Sequence, residues 1–211
     1  MFAPQGRRIL IPLFLLLLLS LGLSVLWKQL IILSLFLIAL LLFFAWFFRD
    51  PERNIGKGIV APADGMVLDA GESEGGKFVS IFMNIHDVHV NRAPEDGKIL
   101  KVTHFPGKHR VASGKEVREN EHTVIEIASS HGRLRVVQIA GIFARRIRTY
   151  VKPGDFVRKG ERIGMIFLGS RVETYLPGTA ILCVKKGDRV RAGESTIGVW
   201  KEDVDKENLS R

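Results

Sequence analysis

Two uncharged apolar stretches, Ile9 to Trp27 and Leu30 to Phe48, open the chain. Each is 19 residues long, close to the roughly 20 that a helix needs to cross the hydrocarbon core of a bilayer. Arg7 and Arg8 precede the first stretch, as they would in a signal peptide. No small-residue cleavage site follows, however, and the second stretch begins after only Lys28 and Gln29. Residues 1–49 therefore read as a retained anchor of two hydrophobic helices. Arg7 and Arg8 flank one end, Arg49, Arg53 and Lys57 the other, and Lys28 alone lies between. That distribution predicts a hairpin with both ends in the cytoplasm. The expected location is the inner (plasma) membrane, with the domain of residues 50–211 on its cytoplasmic side. A two-residue connection is tight, so a re-entrant hairpin is the alternative.

Beyond residue 48 the chain carries 28 basic and 22 acidic residues, a net charge of +6. A basic domain suits an anionic bilayer surface or a phosphate-bearing substrate. No run of clustered Lys and Arg interleaved with aromatics occurs, so nucleic acid is not expected as a partner. The single cysteine, Cys183, excludes an intrachain disulfide. Its apolar surroundings predict a small buried hydrophobe.

From Gly56 onward the texture is short runs of Val, Ile and Phe broken by Gly, Pro and Asp. Val79–Ile85, Thr123–Ala128, Leu134–Ala140, Ile163–Leu168 and Thr179–Val184 read as strands. An internal echo accompanies them: Val151–Glu161 and Val184–Glu194 share Gly-Asp, then a hydrophobic residue, then a second Gly. Gly-Asp makes a tight turn and the Val after it enters the core. Ala61-Pro-Ala-Asp-Gly-Met-Val67 looks like a further unit of this kind. The expected fold is mainly β: a barrel-sandwich-like domain of quasi-repeated Gly-Asp strand-turn units, similar to biotinyl and lipoyl carrier domains.

Three segments bear on chemistry. The first places Gly169-Ser170 at the end of an apolar strand, which by itself is most often a turn. The second, Phe82–Pro94, puts His86 and His89 three residues apart. With Asp87 they could be read as a zinc site, but no third ligand stands at a characteristic spacing, so no metal is expected. The third is Asp64-Gly65, a turn pair that becomes interesting as an orienting carboxylate for a histidine.

Taken in the order Asp64, His86-x-x-His89, Gly169-Ser170, these segments resemble the phosphatidylserine decarboxylase family, of the short pyruvoyl-dependent type. Phe47–Arg53 and Gly141–Ile147 look like two further motifs of that family. The resemblance runs from residue 47 to about 200. Longer bacterial members have Gly-Ser-Thr at the cut site, where this chain has Gly169-Ser170-Arg171.

The resemblance implies a proenzyme that cuts itself after Gly169 into a large chain, 1–169, and a small chain, 170–211. Asp64 would orient His89, and His89 would take the proton of Ser170 so that its oxygen attacks the Gly169 carbonyl. β-elimination and loss of ammonia would turn Ser170 into a covalent pyruvoyl (pyruvate) cofactor. Its ketone would form a Schiff base with the amine of phosphatidylserine in the bilayer. His86 would then protonate the α-carbon after CO2 leaves. Arg145 and Arg146 are candidates, by charge, for the lipid phosphate. A homo-oligomer is left open. The rival reading is a non-enzymatic membrane-anchored carrier or adaptor, but no Met-Lys pair marks a modifiable hairpin tip and residues 57–150 lack heptads.

Overall fold

The computed structural model describes residues 1–108, 119–141, 146–167 and 170–209, the last four by backbone alone. The chain divides into two units, Met1–Glu52 and Arg53–Arg211.

The first unit is a helical hairpin of α1 (Pro4–Leu23) and α2 (Leu30–Phe47). Pro4 opens α1 where its missing N–H costs nothing. The outer ends meet: Ala3 N–H donates to the Phe48 carbonyl at 2.9 Å and Asp50 N–H to the Met1 carbonyl at 2.8 Å. Inside the hairpin the Ser20 and Ser34 hydroxyls lie 2.8 Å apart, small polar side chains that join two apolar helices. Both helices are long and apolar enough to cross a membrane. The connection is longer than the sequence suggests, Ser24–Gln29 rather than Lys28–Gln29. Gly22 and Ser24 weaken the end of α1, and the Ser24 hydroxyl turns back onto the Leu21 carbonyl at 2.6 Å.

The second unit is built from β1 (Ile59–Val60), β2 (Gly65–Ser73), β3 (Gly76–Met83), β4 (Val90–Arg92), β5 (Gly97–Phe105), β6 (His122–Ser129) and β7 (Gly132–Ile139). It continues with β8 (Ile147–Thr149), β9 (Phe156–Val157), β10 (Arg162–Ile166), β11 (Ser170–Pro177), β12 (Ala180–Leu182), β13 (Arg189–Val190) and β14 (Thr196–Trp200), and ends in α3 (Lys201–Leu209). The fold is mainly β, as the strand-and-turn texture implies.

A large curled sheet runs β13-β2-β3-β11-β7-β6-β5-β9, and two small sheets run β1-β14-β12 and β4-β10-β8. The large sheet is a palindrome. Exchanging β2 with β5, β3 with β6, β11 with β7 and β13 with β9 reproduces it. The same exchange carries β1-β14-β12 onto β4-β10-β8.

Local chemistry follows the exchange closely. Gly154 and Gly187 have φ of 97° and 94°, and Gly160 and Gly193 both have 78°, values that glycine adopts without strain. Asp155 accepts from Lys152 N–H and Asp188 from Lys185 N–H, each at 2.9 Å. Ala61-Pro-Ala-Asp64-Gly65 is matched by Ala93-Pro-Glu-Asp96-Gly97, a second copy of that element. Asp64 accepts from Ala192 N–H at 2.8 Å, and Asp96 from Lys159 N–H at 2.6 Å. The Gly-Asp echo is thus the visible part of a quasi-twofold fold.

The halves are threaded differently. β6 and β7 are joined by a tight hairpin, with Ser129 paired to Gly132. Their counterparts β3 and β11 pair Met83 with Ser170, but the chain leaves β3 at Met83, builds the other half, and returns only at Ser170. Where one half has a closed turn, the other has an open end.

The core lies on the concave face, where Ile81, Met83, Val172, Ile125, Leu134 and Val136 are fully buried with Trp200 from β14. Cys183 departs from expectation and is exposed. It lies just past the short strand β12, where only Ala180 is fully buried.

Gly65 tests the close packing of β2 on β3. Its φ is +148°, and an added Cβ would lie 2.1 Å from the Phe82 carbonyl oxygen. Gly65→Ala is expected to cost about 3 kcal/mol or more, from strain and backbone displacement together. Gly75→Ala, at φ +81° with open space around it, should cost only about 1 kcal/mol of left-handed strain. Thermal unfolding midpoints of the two variants check the difference; equal shifts would contradict this packing.

Candidate active site

The open end between β3 and β11 lies beside the loop that carries His86 and His89. Residues 84–89 connect β3 to β4 and begin as a tight turn. Asp87 N–H donates to the Asn84 carbonyl at 3.0 Å, and Asn84 N–H donates to Asp87 Oδ2 at 2.8 Å. The turn lifts His86 to the surface, with its side chain 47% exposed. His89 follows as the chain dives back and is fully buried.

The returning segment flanks this loop on both sides. Ile166 N–H donates to the His89 carbonyl at 3.2 Å, and Ser170 pairs with Met83 at the loop's other end. Phe167 N–H reaches the Arg146 carbonyl at 3.3 Å, and the Arg146 side chain is exposed. Gly169, Arg145 and the last residue of the expected strand Ile163–Leu168 lie outside the described residues.

Ser170 is the first residue of β11 and faces the core beside Met83 and Val172. It is completely buried, and its Oγ has no hydrogen-bond partner among the described residues. A buried unsatisfied hydroxyl costs about 1–3 kcal/mol and calls for an explanation. Nearby, Asn91 on β4 donates to Met83 Sδ at 3.6 Å and accepts from Gln138 Nε2 at 2.7 Å. Gln138 is paired with Val172 across β7–β11, so this buried amide pair shares the face of Ser170.

His89 Nδ1 lies 2.9 Å from the Asp87 backbone carbonyl. A carbonyl oxygen only accepts, so Nδ1 carries the proton and Nε2 keeps the lone pair of a base. The sequence suggests Asp64 for the orienting task. In the structure the Asp64 carboxylate is held instead by Arg53, whose Nη2 lies 3.1 and 2.8 Å from its two oxygens, and by Ala192 N–H. Asp96 makes the matching backbone bond in the other half, so this bond belongs to the fold, while Arg53 is particular to the Asp64 side. Arg53 Nη1 also reaches Glu194 Oε2 at 3.4 Å. Burial pushes the Asp64 carboxyl above the usual carboxylate range. Ala192 N–H and the Arg53 charge pull it down without cancelling that effect, and the Asp87 charge adds to the rise.

Sequence reasoning did not pick out the Asp87 carbonyl, the Asn91–Gln138 pair or Arg189 on β13 as parts of the site. Arg189 lies beside His86, with Nη2 3.5 Å from His86 Nε2 and Nη1 3.5 Å from Asp87 Oδ1. Its signal was present in the repeat, where Arg189 stands at the position of Phe156. Arg171, the departure from the Gly-Ser-Thr pattern, pairs with Glu173 at 2.6 Å on the opposite face of β11 from Ser170.

The family model for phosphatidylserine decarboxylase matches residues 40–198. A phosphatidylserine decarboxylase proenzyme of Syntrophus aciditrophicus is 43% identical over 171 residues, covering 75% of this chain and 80% of that one. A Methanococcoides burtonii protein, named provisionally as an archaetidylserine decarboxylase proenzyme, is 43% identical over 183 residues, covering 85% of this chain and 84% of its own. One of the same description from Archaeoglobus fulgidus is 47% identical over 156 residues, covering 73% and 76%. With a family model matching most of its length and relatives above 40% identity, the chain belongs to the phosphatidylserine decarboxylase family.

Proposed function

We propose that the protein cuts itself between Gly169 and Ser170 and then decarboxylates the serine headgroup of a membrane phospholipid. The observation that carries this reading is the Ser170 hydroxyl, buried without a hydrogen-bond partner among the described residues at the strand end where β3 and β11 are not joined by a turn.

His89 is the base for the cut. With its proton on Nδ1, its Nε2 is the atom able to take the proton of Ser170. The serine oxygen then forms an ester to the Gly169 carbonyl carbon as the peptide C–N bond breaks, and His89 returns the proton it took to the nitrogen of residue 170, which leaves as an amine. Asp64 acts as a positioning residue: it ties the turn before β2 to Arg53 and Ala192, next to the end of β3 where the histidine loop starts. Burial of Ser170 among Met83, Val172 and the Asn91–Gln138 pair excludes water, so the ester is not simply hydrolysed.

The same pocket suits a pyruvoyl group made from Ser170, since a carbonyl has no O–H that must find an acceptor. Such a group supplies a carbonyl that takes up the substrate amine and holds the electron pair left when CO2 departs. His86, half exposed at the rim, is the proton donor to the substrate α-carbon. The two apolar helices bring the enzyme to its lipid as an anchor in the inner (plasma) membrane, with the β unit on the cytoplasmic side. The relatives include both phosphatidylserine and archaetidylserine names, and the serine headgroup is what those substrates share.

Intact mass of purified protein tests the scheme. Two chains are expected, 1–169 and 170–211, the smaller blocked at its N terminus, together with CO2 release from carboxyl-labelled phosphatidylserine. His89→Ala should remain one chain. His86→Ala should be cut, yet decarboxylate about 10²–10⁴-fold more slowly. A single uncut wild-type chain that still releases CO2 would overturn the reading.

A further inference from the structure

The two halves share what the fold requires, so a residue that differs between them in an otherwise matched setting needs another explanation. Arg189 is such a residue. Val151–Glu161 and Val184–Glu194 agree in both glycines, the aspartate and the valine that enters the core, but Phe156 in one is Arg189 in the other. Both side chains are well exposed, Phe156 at 67% for the residue and Arg189 at 66% for its side chain. Neither packing nor turn chemistry therefore dictates an arginine there.

What differs is the neighbourhood. The Arg189 guanidinium lies 3.5 Å from His86 Nε2 and 3.5 Å from Asp87 Oδ1. Both distances exceed the roughly 2.7–2.9 Å of a tight charge-assisted bond. A guanidinium has five N–H donors in a planar fork, so most of its capacity remains to be given. Arg189 is paired with Met66 across β13–β2 and shares its face. Met66 is 41% exposed, and Ile85, next to His86, is 45% exposed. The rim of the site thus joins a loosely held guanidinium to two exposed apolar side chains.

We propose that Arg189 binds the phosphodiester of the serine phospholipid, with Met66 and Ile85 forming the apolar shoulder for its glycerol and first acyl carbons. This rests on the decarboxylase reading of the site. In such a headgroup the phosphorus is three bonds from the α-carbon. A cation that holds it must therefore lie within a few ångströms of the group that protonates that carbon, as Arg189 lies beside His86. Asp87 competes for the guanidinium, and a bidentate phosphodiester displaces its long, single contact.

The binding test uses full-length protein carrying Ser170→Ala, which needs no catalysis to be read. Its affinity for mixed micelles containing phosphatidylserine is compared with that of the same protein also carrying Arg189→Ala or Arg189→Lys. Arg189→Ala should weaken binding about ten- to hundredfold, and Lys should restore part of the loss. Water-soluble glycerophosphoserine, as competitor, separates the two sources of phosphate. A lipid site sends Met66→Ser and Ile85→Ser to weaker micelle binding with unchanged competition, whereas a site for free headgroups leaves micelle binding intact in both. In the Ser170 protein, Arg189→Ala should still be cut, with KM raised about ten- to hundredfold and kcat lowered by less. Unchanged micelle affinity, or a fall in kcat at constant KM, would overturn the proposal. Failure of wild type to cut or release CO2 would instead overturn the function on which it rests.

Discussion

Ser170→Ala will leave a single chain of 211 residues that releases no CO2 from phosphatidylserine. The cut needs an oxygen at this position to attack the preceding carbonyl, and alanine has none. The same substitution removes a buried hydroxyl that has no partner among the described residues. It deletes one atom from a packed position and takes away the cost of burying that hydroxyl, so the variant should be as stable as the parent or more stable by about 1 kcal/mol. That separates loss of chemistry from loss of fold. An uncut variant with a raised or unchanged unfolding midpoint is the expected outcome; a cut Ser170→Ala chain would place the bond that breaks elsewhere.

The parent should behave as one particle after cutting. β11 pairs along its whole length with β3, and from Arg171 to Tyr175 with β7. β13 pairs with β2 and β14 with β1, both in the large chain. Cleavage at the open end of β11 removes none of these ladders. The small chain therefore stays as the centre of the large sheet and should separate only on unfolding.

How much of this was legible in the sequence depends on how local each feature is. The Gly-Asp echo was, because Gly154, Gly187, Gly160 and Gly193 each need a positive φ that only the turn itself dictates. The two apolar helices were legible for the same kind of reason, through length and hydropathy. β2 and β5 were not. Gly65–Ser73 and Gly97–Phe105 alternate buried residues with Asp, Glu or Lys that face water, and short windows read them as broken runs. β11 is hard to read because Arg171, Glu173 and Tyr175 interrupt its apolar positions. The open strand end was out of reach altogether, because it depends on Met83 finding Ser170 across the whole inserted half. The sequence offers His86, His89, Asp64 and Ser170 as candidates, but not the bonds that hold each of them. The group that fixes the His89 tautomer is the backbone carbonyl of Asp87, which no side-chain letter records. Asp64 looked like its partner because an Asp beside a His is the familiar arrangement. Its match with Asp96, visible only once both bonds to backbone N–H are seen, shows the part the fold takes in placing it.

Arg53→Met is expected to be among the most damaging substitutions in the β unit, and its damage should depend on pH. The Arg53 side chain is 6% exposed and spans Asp64 and Glu194. Methionine fills much of the same volume but leaves the Asp64 carboxylate with Ala192 N–H alone. Breaking a buried pair in this way costs about 3–5 kcal/mol, while Glu194 keeps Arg191 at 3.7 Å. Burial already holds the Asp64 carboxyl above its ordinary range against the pull of Ala192 N–H and Arg53, and loss of Arg53 raises it further. A carboxyl raised in the folded state favours the fold in its protonated form. Its contribution is full below the ordinary Asp range and is lost as pH rises through the folded value. The variant's deficit should accordingly be smallest in acid and widen toward neutral pH, as Asp64 is forced to ionise without its partner. Asp64→Asn in the Arg53→Met background removes the charge and keeps an oxygen for Ala192 N–H, so it should recover part of the loss at neutral pH and little in acid. Thermal midpoints of the three proteins across that pH range decide the matter. A deficit independent of pH, unrelieved by Asp64→Asn, would mean that Arg53 matters through its packing or through Glu194, and that the Asp64 charge is not what it holds in place.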